Sequence, residues 1–107
     1  MFYKKTDSGY KEPMDGVRLK ALVHGSKTML TEFIIGKGKS VPSHKHSHEQ
    51  TGYLVSGQIR LTIGGEVFDV TAGDSWCIPG DVEHSALVVE DAVVIEVFSP
   101  LREEYLA

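Results

Sequence analysis

The chain has 107 residues, enough for one domain built on a single core. Its 11 Lys and Arg against 15 Asp and Glu give a net charge of −4, and no basic cluster interleaves with aromatics, which argues against nucleic acid as a partner. The basic start has no apolar stretch behind it, no run of about 18 apolar residues occurs, and Cys77 is the lone cysteine; we read a cytoplasmic chain with no membrane contact.

In chain order, the punctuation is that of an all-β protein. Short β-branched and apolar runs stand at "VRLKALVHG" (17–25), "MLTEFIIG" (29–36), "GYLVSG" (52–57), "QIRLTIGGEVFDV" (58–70), "SWCIPG" (75–80), "HSALVVE" (84–90) and "AVVIEVF" (92–98). Turn residues separate them at Ser56-Gly57, Ala72-Gly73-Asp74, Pro79-Gly80-Asp81 and Glu90-Asp91. The clearest hairpin joins Ile59–Ile63 to Glu66–Val70 through Gly64-Gly65, a pair free to take positive φ. Helical periodicity is nearly absent, and only the final "PLREEYLA" suggests a turn of helix. Strands at this spacing call for a sandwich or barrel.

Between the second and third runs lies "HKHSHEQ", residues 44–50. On a strand, residues i and i+2 share a face at roughly 6.5–7 Å. That is close enough for His44 and His46 to converge on one ion at about 2 Å each. Gln50 has the same parity, but a turn around Ser47–Glu49 intervenes. His84, after "IPGDVE", is the other histidine placed to deliver a ligand from a distant strand. A solvated, incidental turn fits HxH alone equally well, and His24, beside Gly25, is left to that reading.

The framework around these residues resembles the cupin superfamily. Gly38, five residues, His44, one, His46, three, Gln50, six, Gly57 reproduces the first cupin motif, with Gln50 where cupins most often carry Glu. Gly73, five residues, Pro79, with His84 five positions further on, resembles the second, although its internal glycine falls at Gly80 and Asp81 holds the expected place. The resemblance covers residues 17–100, so that 1–107 is expected to be a single cupin domain with short extensions. It implies a double-stranded β-helix, or jelly roll, with His44, His46, Gln50 and His84 around one divalent ion (Ni, Fe, Mn, Zn or Co), and a homodimer. A Gln in place of Glu leaves the ion's charge uncancelled, which favours an anionic ligand.

A narrower likeness joins "HSHEQTGYLVSGQIRLTIGGE", "GDSWCIPGDVEHSA" and "EDAVVIEVFSPLREEYL" to the KdgF-like cupins of pectin and alginate breakdown, which linearise unsaturated monouronates. That family's pattern Asp-x-Phe-x-x-x-Arg falls here on Glu96, Phe98 and Arg102, with Glu for Asp. It implies an isomerase or lyase on a small anionic sugar, with Glu96 moving a proton, Phe98 packing on the ring and Arg102 holding the carboxylate. Without the family, Glu96 still stands out: it shares a strand face with Val94 and Phe98, and a carboxylate there is costly to bury unless paired or used. Each residue also has a plainer reading: Glu96 on a solvated edge, Phe98 in the core, Arg102 on the surface. Cys77, among Trp76, Ile78 and Pro79, reads as a buried structural thiol; Arg60, His48 and Glu49 read as solvated, with a place on the pocket wall left open for Arg60, and one at the pocket mouth or on the metal for His48. Two further classes stay open: a metal-dependent oxygenase, and a ligand-binding or sensing cupin without catalysis.

Overall fold

The structure is a computed structural model and describes residues 1–106. Eight strands follow one another: β1 Lys11–Met14, β2 Val17–His24, β3 Met29–Ile35, β4 Ser40–His44, β5 Glu49–Ile63, β6 Glu66–Thr71, β7 Ser75–Ile78 and β8 His84–Ser99. A single 3₁₀ turn, Glu103–Tyr105, comes after them. All pairings are antiparallel, in the order β1-β2-β3-β8-β5-β6, with β4 added to β8 and β7 to β5. This is the all-β jelly roll expected from the turn spacing and the resemblance. No helix among the described residues is long and apolar enough to cross a membrane.

Two long strands organise the barrel. The first part of β5 pairs with the end of β8 and with β7, while its second part pairs with the start of β8 and with β6. β8 divides in the same way, its end lying on β3 and its start on β4. Between the two parts the register shifts repeatedly, from Leu54 to Ile59, and bulged strands bend. Each long strand therefore contributes to two groups of neighbours. The core lies between these groups: Val17, Ile35, Leu54, Ala92 and Val94 from one, Ile59, Leu61, Val70 and Val88 from the other.

The sequence reading divided β5 and β8 in two, with turns at Ser56-Gly57 and Glu90-Asp91. Both strands instead run through, and Gly57 marks a bulge at φ 94° where a Cβ would overlap the carbonyl oxygen of Asp91. A residue that small lets the two backbones pass in contact. The Gly64-Gly65 hairpin forms as expected, with φ of 57° and 87°. β1 and β4 were not anticipated, because "KEPM" and "SVPSH" each hold a proline and little apolar character.

Candidate metal centre and cavity

His44 ends β4 and lies opposite His84, the first residue of β8. His46 follows two residues later, beyond the strand, so the alternate-position geometry holds only at its first member. What brings His46 inward is the loop after β7. Gly80 packs on the backbone of Ser47, where a Cβ would come within 2.5 Å of the carbonyl oxygen, and the Asp81 N–H donates to the His46 carbonyl at 2.7 Å. Asp81 takes φ 65°, the left-handed conformation that its short polar side chain tolerates. The displaced glycine of the second motif thus has a physical reason: position 81 carries the positive φ, and position 80 the close approach.

The three imidazoles converge. His44 and His84 ring centroids are 4.2 Å apart, His46 and His84 5.0 Å, His44 and His46 5.5 Å. One nitrogen from each lies within 4.8 Å of the others. In all three rings Nδ1 faces a backbone carbonyl: Pro42 for His44 at 2.9 Å, His48 for His46 at 3.0 Å, Val82 for His84 at 2.9 Å. A carbonyl only accepts, so Nδ1 carries the proton and the Nε2 lone pair points elsewhere. Nε2 of His46 and of His84 is buried without a partner. Burial first, then the nearby Arg102 charge, pulls the His46 pKa below its ordinary value, and burial does the same at His84. Neutral imidazoles with oriented lone pairs are what a divalent ion requires, and these residues fit one.

Gln50 and Glu96 form the adjoining wall, at 6% and 7% exposure. Gln50 Nε2 donates to Glu96 Oε2 at 3.1 Å, while Gln50 Oε1 is buried with no partner. The amide orientation set by Glu96 therefore leaves a carbonyl oxygen available beside the histidines. Trp76 Nε1 donates to the other carboxylate oxygen, Oε1, at 3.3 Å. Burial pushes the Glu96 carboxyl up to about 8, against the opposing pull of these two hydrogen bonds. Phe98 is buried and meets the His46 ring edge-on at 6.0 Å. Arg102 lies over Phe98 at 5.1 Å and over Tyr105 at 4.3 Å, with Nε donating to Glu104 Oε1 at 2.9 Å and Nη2 ion-paired with the same oxygen at 2.7 Å.

Together these groups bound a cavity of about 80 Å³. His44, His84, Gln50, Glu96 and Arg102 line its polar side, and Phe33, Ile35, Ile59, Leu61, Val88 and Val94 its apolar side. Six of the seven residues proposed from the sequence thus line one cavity, and the seventh, His46, stands beside it with its ring against those of His44, His84 and Phe98. Two wall residues escaped that reading. Tyr105, on the 3₁₀ turn, and Trp76, noted only as a neighbour of Cys77, both line the cavity. Elsewhere, Cys77 is exposed, correcting the buried thiol: Trp76 and Ile78 turn inward and strand alternation turns Cys77 out. His48 is half-buried, its ring 5.5 Å from that of His46 and its Nδ1 without a partner, where a solvated turn was expected. Arg60 is exposed, as expected, and pairs with Asp69; Glu49 and His24 are exposed too.

Residues 31–98 match the cupin domain family. The chain belongs to it. Among solved structures, this cupin superposes on KdgF from Halomonas sp. with a TM-score of 0.91 at 27% identity, covering 97% of this chain and 96% of that one. An RmlC-like cupin from Shewanella frigidimarina gives 0.92 at 28%, over 97% and 94%. Among curated proteins, the cupin is 27% identical to H2HPP isomerase of Bacillus subtilis over 94 residues, 86% of this chain and 40% of that protein. It is 33% identical to an uncharacterized protein of Methanocaldococcus jannaschii over 76 residues, 65% of this chain and 61% of the other. The chain thus spans less than two thirds of the length of both.

Proposed function

We propose that this cupin is a metal-dependent isomerase of a small carboxylate, with His44, His46, His84 and the Gln50 carbonyl as metal ligands and Glu96 as the group that moves a proton. The observation that carries the reading is the position of Glu96: a buried carboxyl with its pKa near 8, on the wall of the cavity that His44 and His84 also line, with His46 clustered beside them. A divalent ion at the histidines would supply Lewis-acid polarisation of the substrate's oxygens. Arg102 pairs with the substrate carboxylate through the guanidinium edge that Glu104 leaves free. Phe98 packs against the substrate ring, and the apolar side of the cavity excludes water.

An unsaturated uronate is the first substrate to assay, supported by the likeness to KdgF and by the Glu96-Phe98-Arg102 pattern. In that reaction the anomeric hydroxyl loses its proton, the ring C–O bond breaks as the carbonyl forms, and the released enol carbon takes up a proton to give the linear keto form. Atoms balance without a co-reactant. A carboxyl held protonated near neutral pH is suited to deliver that last proton.

The apolar wall favours a second reading. Apart from Ser85, the inner part of the cavity offers few partners for the hydroxyls of a sugar, and buried unpaired hydroxyls are costly. An unsaturated carboxylate with a hydrocarbon body would suit it better, with Glu96 shifting a proton between carbons; the likeness to a protein named an isomerase supports the same reaction class.

The deciding experiment combines metal analysis of the purified cupin with an ultraviolet assay on unsaturated uronates, whose conjugated double bond disappears on opening. Loss of absorbance in metal-loaded protein, and none after chelation, is the expected result. If absorbance persists with uronates and with unsaturated oxo acids alike, catalysis fails and the ligand-binding reading replaces it. A homodimer remains the assembly we propose, to be checked by sedimentation.

A further inference from the structure

Across the sheet, Trp76 on β7, Gly52 on β5 and Glu96 on β8 stand in one row: Gly52 is the register partner of both the others. Trp76 and Glu96 are therefore two strand spacings apart, about 9–10 Å between backbones. An ordinary side chain at the middle position would fill the space between them. Position 52 is glycine, and a Cβ there would overlap the indole at Nε1 and Cε2. The indole lies flat across the bare backbone and reaches Glu96 Oε1 with its only donor. Gln50, two residues earlier on the same strand, holds the other carboxylate oxygen.

We propose that Gly52 and Trp76 form a positioning device for Glu96: the missing side chain opens a passage through which the indole N–H fixes the carboxylate's rotation. Tryptophan is suited to this, since it combines the reach to span two strands with a donor-only nitrogen. With both oxygens held, one by Gln50 and one by Trp76, the carboxyl cannot turn away from the cavity. The inference rests on the reading of Glu96 as the proton-moving group, and its importance lies in orientation. A carboxyl free to rotate spends much of its time out of line with the reacting atom, and second-sphere partners of this kind typically contribute about 10–100-fold.

The chain has one tryptophan, so its indole N–H gives a single, unambiguous nuclear magnetic resonance signal. In uniformly ¹⁵N-labelled protein that signal is expected to exchange slowly with solvent and to shift in Glu96→Gln, and to exchange fast in Gly52→Ala. An indole signal unmoved by Glu96→Gln would overturn the proposal. The kinetic arm uses Trp76→Phe, which keeps an aromatic filler and removes the donor. Its kcat is expected to fall about 10–100-fold with KM and metal content near the parent's. An unchanged kcat would also overturn it. Because Gly52→Ala and Trp76→Phe remove the same contact, the double variant should be no slower than Trp76→Phe alone, whereas additive losses would contradict a shared device. If the parent turns over no substrate, the fault lies with the proposed function, and the indole signal alone decides whether the device exists.

Discussion

The two parts of β8 line the same cavity from different groups of strands and bring it different chemistry. Residues 84–90, on β4 and the second part of β5, present His84 to the histidine cluster through a ring oriented by a backbone carbonyl. Residues 92–99, on β3 and the first part of β5, present Glu96 and Phe98, the carboxyl held by side chains from β5 and β7. Both residues are buried, but burial acts in opposite directions: it lowers the His84 pKa and raises that of Glu96. Each is driven toward its uncharged form, giving a neutral imidazole on one side and a protonated carboxyl on the other. On the proposed function, metal holding and proton movement would therefore belong to separable parts of one strand.

That separation can be broken from either side. The largest effect is expected from His46→Ala or His84→Ala, which should remove most of the bound metal and all activity, with far-ultraviolet circular dichroism unchanged because neither histidine is part of the apolar core cluster. Full metal occupancy in both would refute the site. Next, Glu96→Gln should leave metal content intact while turnover falls about 10²–10⁴-fold, as for loss of a general acid or base. Parent-like turnover would end the acid/base role. Arg102→Ala should raise KM about 10–100-fold with less change in kcat, the effect of losing a charged hydrogen bond to substrate; initial-rate kinetics separate the two constants.

Smaller changes sharpen the comparison at its seam, Gln50. Gln50→Glu sets a second carboxyl against Glu96 and adds negative charge beside the histidines. Metal binding should be kept while affinity for an anionic inhibitor drops, as titration calorimetry would show; equal affinity would remove the electrostatic argument for a neutral side chain there. The mildest effect concerns stability of the metal-free protein. Below about 4.5 Glu96 is protonated whether folded or not, and above about 8 it is ionised in both states, with the folded chain bearing the desolvation cost. Its stabilising contribution is complete at the acid end and lost as pH rises through 8. Urea midpoints should fall across that window in the parent, and fall less in Glu96→Gln.

The metal side was the more legible in sequence because its spacing is local. His44, His46 and Gln50 lie within seven residues, and the glycine and proline positions around them mark where the chain must turn. Glu96 was visible as a carboxylate within an apolar alternation. Trp76 and Tyr105 were not, for a common reason: their parts depend on what lies across the sheet or under the C-terminal turn. Nothing near Trp76 in the chain announces Gly52 as its neighbour. The signal existed in the glycine itself, inside a strand pattern without a turn to serve. Cys77 shows the opposite failure, since its apolar flanks outweighed the alternation that should have turned it outward.

The central place of β8 also bears on how the molecule is made. It is the eighth strand in the chain, yet it lies between β3 and β5, so both must wait for it with open edges during synthesis. Unpaired edges invite association with other chains, and pairings between strands distant in sequence form slowly. The order of translation thus leaves the nascent chain with an empty slot at its middle, filled only once residues 84–99 have left the ribosome. Since His84 and Glu96 arrive on that same strand, the closing of the sheet and the completion of the site are a single event.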